Sequence, residues 1–81
     1  MSSQSLGKMA EFRFLGYLAE IFGKKRVRIS LENPRKLRDI LEVEFPEDRS
    51  VVLINQRAGN FDSLIRNGDK VVIMPMISGG R

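Results

Sequence analysis

The segment between Pro34 and Pro46 limits the topology of this chain more than any other. Leu37, Ile40, Leu41 and Phe45 recur there at helical spacing and form one stripe, while Arg35, Lys36, Arg38, Asp39 and Glu42 face away. Asn33 is placed to cap the free backbone N–H groups. Pro34 suits the first helical position, where its missing donor is not needed. Pro46 ends the helix, because the residue before a proline is pushed out of the α region. Strand-like segments lie on both sides. Residues 26–31 alternate, with Val27, Ile29 and Leu31 inward. Val51-Val52-Leu53-Ile54 is a continuous apolar run of strand length, which suits a central strand covered on both faces. A helix between two such strands can serve as a crossover, so the sheet is expected to be mixed, with the helix on one face.

The rest of the chain fits around this unit. In residues 10–15, Phe12 and Phe14 share one face and Glu11 and Arg13 the other, the pattern of a half-buried strand. Gly16 ends it. Tyr17 to Phe22 is a short helical stretch with Leu18, Ile21 and Phe22 inward, stopped by Gly23. Arg57-Ala58-Gly59-Asn60 is turn-like, and residues 61–65 are irregular, with Leu64 or Ile65 plugging the core. Asn67-Gly68-Asp69 is a strong turn signal before a last strand, residues 70–74, ended by Pro75. The expectation is an α+β roll of ubiquitin size, with a mixed sheet of about four to five strands and one main helix on one face. One domain over residues 10–77 is expected, between a flexible polar leader, 1–9, and a flexible tail, 78–81.

Composition removes several function classes. The 81 residues include no cysteine and no histidine. Thiolate and imidazole chemistry, the usual zinc ligands and the commonest nucleophile–base pairs are therefore missing. No catalytic side chain stands out. The net charge of +4 is modest, and its one cluster is Lys24-Lys25-Arg26-Val27-Arg28. That cluster suits a solvated turn and strand, or a docking patch for an acidic partner. No stacking aromatics other than Tyr17 accompany it, so nucleic acid is not an expected partner. No apolar targeting segment or membrane-length run occurs, which places the expected location in the cytoplasm and away from membranes.

The C-terminal residues carry the chemistry. Ser78-Gly79-Gly80-Arg81 follow Pro75, Met76 and Ile77. A Gly-Gly pair can lie extended in a channel too narrow for side chains. Met76 and Ile77, beyond the proline, are expected to touch a partner, since methionine adapts to more than one surface.

Phe12-Arg13-Phe14-Leu15-Gly16-Tyr17-Leu18-Ala19-Glu20-Ile21-Phe22-Gly23 resembles the opening strand and helix of the small, sulfur-carrying subunit of molybdopterin synthase. Ile54-Asn55-Gln56, Asp62-Ser63-Leu64 and Asn67-Gly68-Asp69-Lys70-Val71 follow in that family's order, and residues 75–80 resemble its tail. The resemblance implies a β-grasp (ubiquitin-like) fold. It also implies that a ubiquitin-activating-type enzyme, using ATP, adenylates the C-terminal glycine, here Gly80, with Gly79 as the spacer and Ser78 as part of the same tail. A sulfur donor then converts Gly80 to a thiocarboxylate. The tail enters the large synthase subunit and gives its sulfur to cyclic pyranopterin monophosphate, with no cofactor bound directly to the carrier. On this resemblance the chain is the non-catalytic subunit of a sulfurtransferase.

Two positions depart from the family pattern. Met76 replaces its second tail proline, and Arg81 follows the Gly-Gly pair. With Arg81 attached, the Gly80 carbonyl is an amide and cannot be adenylated. Removal of Arg81 by a protease, or a non-native Arg81, fits the resemblance better than a chain that has lost carrier function. A ubiquitin-like protein modifier joined through Gly80, a sulfur carrier for thiamine thiazole synthesis or tRNA thiolation, and a plain interaction domain stay open beside the synthase subunit.

Overall fold

The computed structural model describes residues 9–76. Its strands are β1 (Ala10–Phe14), β2 (Arg26–Ile29), β3 (Arg35–Lys36), β4 (Ser50–Ile54), β5 (Arg57–Gly59), β6 (Leu64–Ile65) and β7 (Lys70–Pro75). Its helices are α1 (Tyr17–Phe22) and α2 (Leu37–Leu41), and a 3-10 turn spans Glu47–Arg49. Five strands form a mixed sheet in the order β2-β1-β7-β4-β5, and β3 and β6 form a separate two-stranded pair. The first and last strands of the large sheet, β1 and β7, run parallel at its centre, and every other pairing is antiparallel. This is the β-grasp arrangement that the family resemblance implies, and it agrees with the mixed-sheet α+β roll expected from the element order.

Alternation in β1 and β7 builds the core. Phe12 lies opposite Val71 and Phe14 opposite Ile73, and all four are buried. Val52 of β4 joins them on the same face, together with Leu18 from α1 and Leu37, Ile40 and Leu41 from α2. A row of stacked rings, Phe22–Phe14–Phe45–Phe61, runs through this layer at centroid separations of 4.2, 5.7 and 6.1 Å. Full burial of each such side chain contributes roughly 1.5–3 kcal/mol, so these residues dominate the stability of so small a core.

Several local expectations are corrected. The helical segment is only Leu37–Leu41, although Leu37, Ile40, Leu41 and Phe45 are all buried as the stripe requires. Asn33 and Pro34 do not cap it. Residues 35 and 36 instead pair with Ile65 and Leu64, and the first free N–H groups, of Leu37 and Arg38, donate to the carbonyls of Ser63 and Phe61 at 3.0 Å each. Distant carbonyls thus do the capping that a side chain does elsewhere. At its other end the helix stops at Glu42, which is left-handed with φ 59°.

Arg57-Ala58-Gly59 is a strand rather than a turn. The reversal lies one step earlier, at Asn55 and Gln56, whose φ values of 53° and 71° are those of a two-residue I′ hairpin. In α1, Leu18 is buried, Phe22 stacks on Phe14, and Ile21 is 40% exposed rather than inward. Ile65 plugs the core while Leu64 is 56% exposed. Finally, β4 is covered on one face only: Val52 is buried, but Val51 and Leu53 are half-buried on the other side of the sheet.

Candidate functional site

The tail leaves from the best-anchored strand of the molecule. β7 lies between β1 and β4, and its buried residues Val71 and Ile73 alternate with Val72 and Met74 on the opposite face. Met74 is therefore half-buried on the outer face and is not a core residue. Proline is normally excluded from a central strand, since it cannot donate to the ladder. Pro75 is accommodated because the two neighbours of β7 end at different points. Pairing with β1 stops at Phe14 opposite Ile73, whereas pairing with β4 continues to Ser50 opposite Pro75. On the β1 side the place of a ladder partner is taken by Gly16, against the proline ring. A Cβ built on Gly16 would lie 2.9 Å from Pro75 Cγ, and Gly16 has φ 59° and ψ −143°, a region that only glycine enters freely.

Beyond the proline, the Met76 N–H donates to the Arg49 carbonyl at 2.7 Å, and the residue is 50% exposed. This is the last anchor described. Pro75 and Met76, two expected partner contacts, are thus placed at the rim of the sheet where the chain leaves it. Ile77, Ser78, Gly79, Gly80 and Arg81 lie outside the described residues, as do residues 1–8 of the expected leader. From Met76 to Gly80 an extended chain reaches at most ~14 Å, which sets the depth of any channel the glycine pair could probe.

The support beneath this anchor is electrostatic. Arg38 binds Glu47 through both terminal nitrogens, at 2.7 and 3.1 Å, and Asp62 through Nε at 2.8 Å. It fastens α2 to the 3-10 turn that ends at Arg49, the residue whose carbonyl receives Met76. The hydrogen bonds to Asp62 and Glu47 raise the Arg38 pKa, and the hydrogen bond from Arg38 lowers that of Asp62.

Two of the sequence motifs meet at the opposite end of β7. The Asn55 side chain donates to Asp69 at 2.9 Å and accepts from the Lys70 N–H at 3.0 Å, while Asp69 also accepts from the Arg66 N–H. Asn67 clamps the backbone of Leu31 from both sides, at 2.8 and 2.7 Å. Ile54-Asn55-Gln56 and Asn67-Gly68-Asp69-Lys70 are thus braces that fix the start of β7.

A further surface emerges that sequence reading missed. Leu53 lies opposite Val72 and Val51 opposite Met74, so four half-buried apolar side chains form a continuous stripe on the uncovered face of β4 and β7. A shallow hollow of about 420 Å³ continues it, bounded by Glu11, Arg13, Leu53, Asn55, Lys70 and Val72. The stripe runs along β4 and β7 toward Pro75, the last residue of β7. The signal was present in Val51-Val52-Leu53-Ile54, but an unbroken apolar run does not say which face is left open. Among the described residues, no three acidic, histidine or cysteine side chains gather as a metal site requires. No described helix is long and apolar enough to cross a membrane.

Comparison with known proteins agrees with this geometry. The solved structures that match include small archaeal modifier protein 1 from Haloferax volcanii, at 24% identity and TM-score 0.67, covering 89% of this chain and 99% of that one. A putative molybdopterin converting factor, subunit 1, from Pyrococcus furiosus matches at 17% identity and TM-score 0.64, covering 86% and 99%. Urm1 from Trypanosoma brucei matches at 18% identity and TM-score 0.63, covering 99% and 100%. No curated protein gives a significant sequence match. The model of the ThiS family matches residues 12–80, which is most of the chain. With its ubiquitin-like sheet and a match that reaches the Gly-Gly pair, this chain belongs to the ThiS family.

Proposed function

We propose that this ThiS-family, ubiquitin-like carrier or modifier works through Gly80, as the sulfur-carrying small subunit of a molybdopterin synthase. The observation that supports Gly80 as the working residue of such a carrier is the span of the family match, which runs to Gly80 and leaves out Arg81. The Gly80 carboxylate, freed of Arg81, attacks the α-phosphorus of ATP on an adenylating partner and releases pyrophosphate. Sulfide-level sulfur from a donor then attacks the acyl carbon, displaces AMP and leaves a thiocarboxylate. The large synthase subunit takes in the tail and passes the sulfur to cyclic pyranopterin monophosphate. A carrier of this kind needs reach and a docking surface rather than catalytic groups. The acyl-adenylate survives only where the partner keeps water away.

The geometry supports that division of labour. The anchored end of β7 fixes where the tail begins, and the apolar stripe of Val51, Leu53, Val72 and Met74 offers a surface for the partner beside it. Likeness to the putative molybdopterin converting factor subunit supports the synthase reading. Likeness to small archaeal modifier protein 1 favours a second one, in which activated Gly80 is joined to lysines of target proteins. Sulfur carriers for thiamine or tRNA thiolation would use the same activation.

Reconstitution separates these readings. The chain ending at Gly80 is incubated with ATP, an adenylating enzyme, a sulfur donor and the large synthase subunit. Conversion of cyclic pyranopterin monophosphate to molybdopterin supports the synthase reading. A ladder of isopeptide conjugates, with no molybdopterin formed, supports the modifier and overturns it.

A further inference from the structure

The cationic run at residues 24–28 takes no part in the tail chemistry, and the fold gives it a definite setting. β2 is the first strand in the order of the large sheet, so its outer edge has no strand beside it among the described residues. The pairing with β1 fixes which groups that edge offers. The Phe14 N–H donates to the Lys25 carbonyl at 2.8 Å, which makes residues 14 and 25 a hydrogen-bonded pair. Such pairs recur at every second position of an antiparallel ladder, so Val27 opposite Phe12 and Ile29 opposite Ala10 also turn their backbone toward β1. The backbone N–H and C=O groups of Arg26 and Arg28 therefore point outward, at the open edge.

The side chains divide in the same rhythm. Arg26 and Arg28 are exposed on the outer face of the sheet, and Val27 and Ile29 are half-buried on the inner one. Lys24 and Lys25, also exposed, precede them. None of these four cations makes an ion pair among the described residues. A strand laid against this edge would set alternate residues beside Arg26 and Arg28, and the intervening ones beside Val27 and Ile29.

We propose that the open edge of β2 is a strand-addition site for an extended segment of a partner protein that alternates acidic and aliphatic residues. Main-chain bonds to Arg26 and Arg28 supply the pairing, and their guanidinium groups supply the selection for acid. A second copy of this chain does not fit. Pairing β2 with β2 opposes arginine to arginine, and the other open edge, β5, presents Arg57. The proposal is independent of the chemistry at Gly80.

The test is an NMR titration of the full chain with a short synthetic peptide of alternating valine and glutamate. The expected result is a shift of the Arg26 and Arg28 amide resonances, with Val51 and Leu53 unmoved. The double substitution Arg26→Glu and Arg28→Glu is expected to weaken binding about tenfold. The pair Lys24→Glu and Lys25→Glu, outside the strand, weakens it less and guards against a misfolded first variant. A peptide of equal charge interrupted by proline is expected not to bind. Equal binding of the proline peptide, shifts confined to the β4–β7 face, absence of peptide binding, or an RNA oligonucleotide that outcompetes the peptide at these residues would each overturn the proposal.

Discussion

Gly16 and Pro75 touch in a way that leaves no room for a side chain: a Cβ on Gly16 would meet Pro75 Cγ at 2.9 Å. The contact joins the end of β1 to the end of β7 and aims the chain where the tail departs. Gly16→Ala adds this clash to a backbone at φ 59° that alanine adopts only with strain. The expected loss is roughly 1–3 kcal/mol, seen as a fall of several degrees in Tm. An unchanged Tm would show that Pro75 yields without cost.

The apolar stripe should behave as a binding surface and not as core. Leu53→Asp is expected to leave Tm within a few degrees while sharply weakening capture by the large synthase subunit. Ile73→Ala, fully buried on the opposite, core-facing side of the sheet, should instead cost roughly 2–5 kcal/mol. Chemical denaturation of both variants beside a pull-down separates the two roles. Collapse of the Leu53→Asp fold would make the stripe structural.

Ile77 is the next residue in the sequence after Met76, and Ile77→Asp is expected to weaken partner binding without unfolding the domain. Calorimetric titration against the partner, paired with a thermal melt, checks it. A large loss of thermal stability would place Ile77 in the core.

Acid should loosen the support under the tail anchor. The Asp62 carboxyl is held below its ordinary range by the hydrogen bond from Arg38. Its contribution is therefore complete above the ordinary carboxylate pKa, near pH 4, and is lost as pH falls through the lowered value. Because Asp62 and Arg38 are both exposed, the effect is small and salt-sensitive. Asp62→Asn is expected to flatten this part of the stability–pH curve, as read by urea midpoints. An unaltered curve would show that the pair contributes nothing.

Legibility of the sequence followed how local the governing forces are. The alternation of Phe12 and Phe14 and the stripe of Leu37, Ile40, Leu41 and Phe45 could be read directly, since period and burial are properties of neighbouring residues. The start of α2 could not. Its N–H groups are met by Ser63 and Phe61, more than twenty positions away, and residues 35 and 36 are drawn into a strand by Leu64 and Ile65. The β4–β5 turn was hidden because Asn55-Gln56 lacks the glycine that usually marks an I′ hairpin. At the candidate site, Pro75, Met76 and the glycine pair were legible as a motif. The stripe of Val51, Leu53, Val72 and Met74 was not, because it exists only once β4 and β7 are paired.

The most direct measurement is the intact mass of this chain purified from its own cells. A species ending at Gly80, with one carboxyl oxygen replaced by sulfur, is the expected result. A chain that keeps Arg81, and that stays inert toward ATP and its activating enzyme even when made to end at Gly80, would contradict the carrier reading.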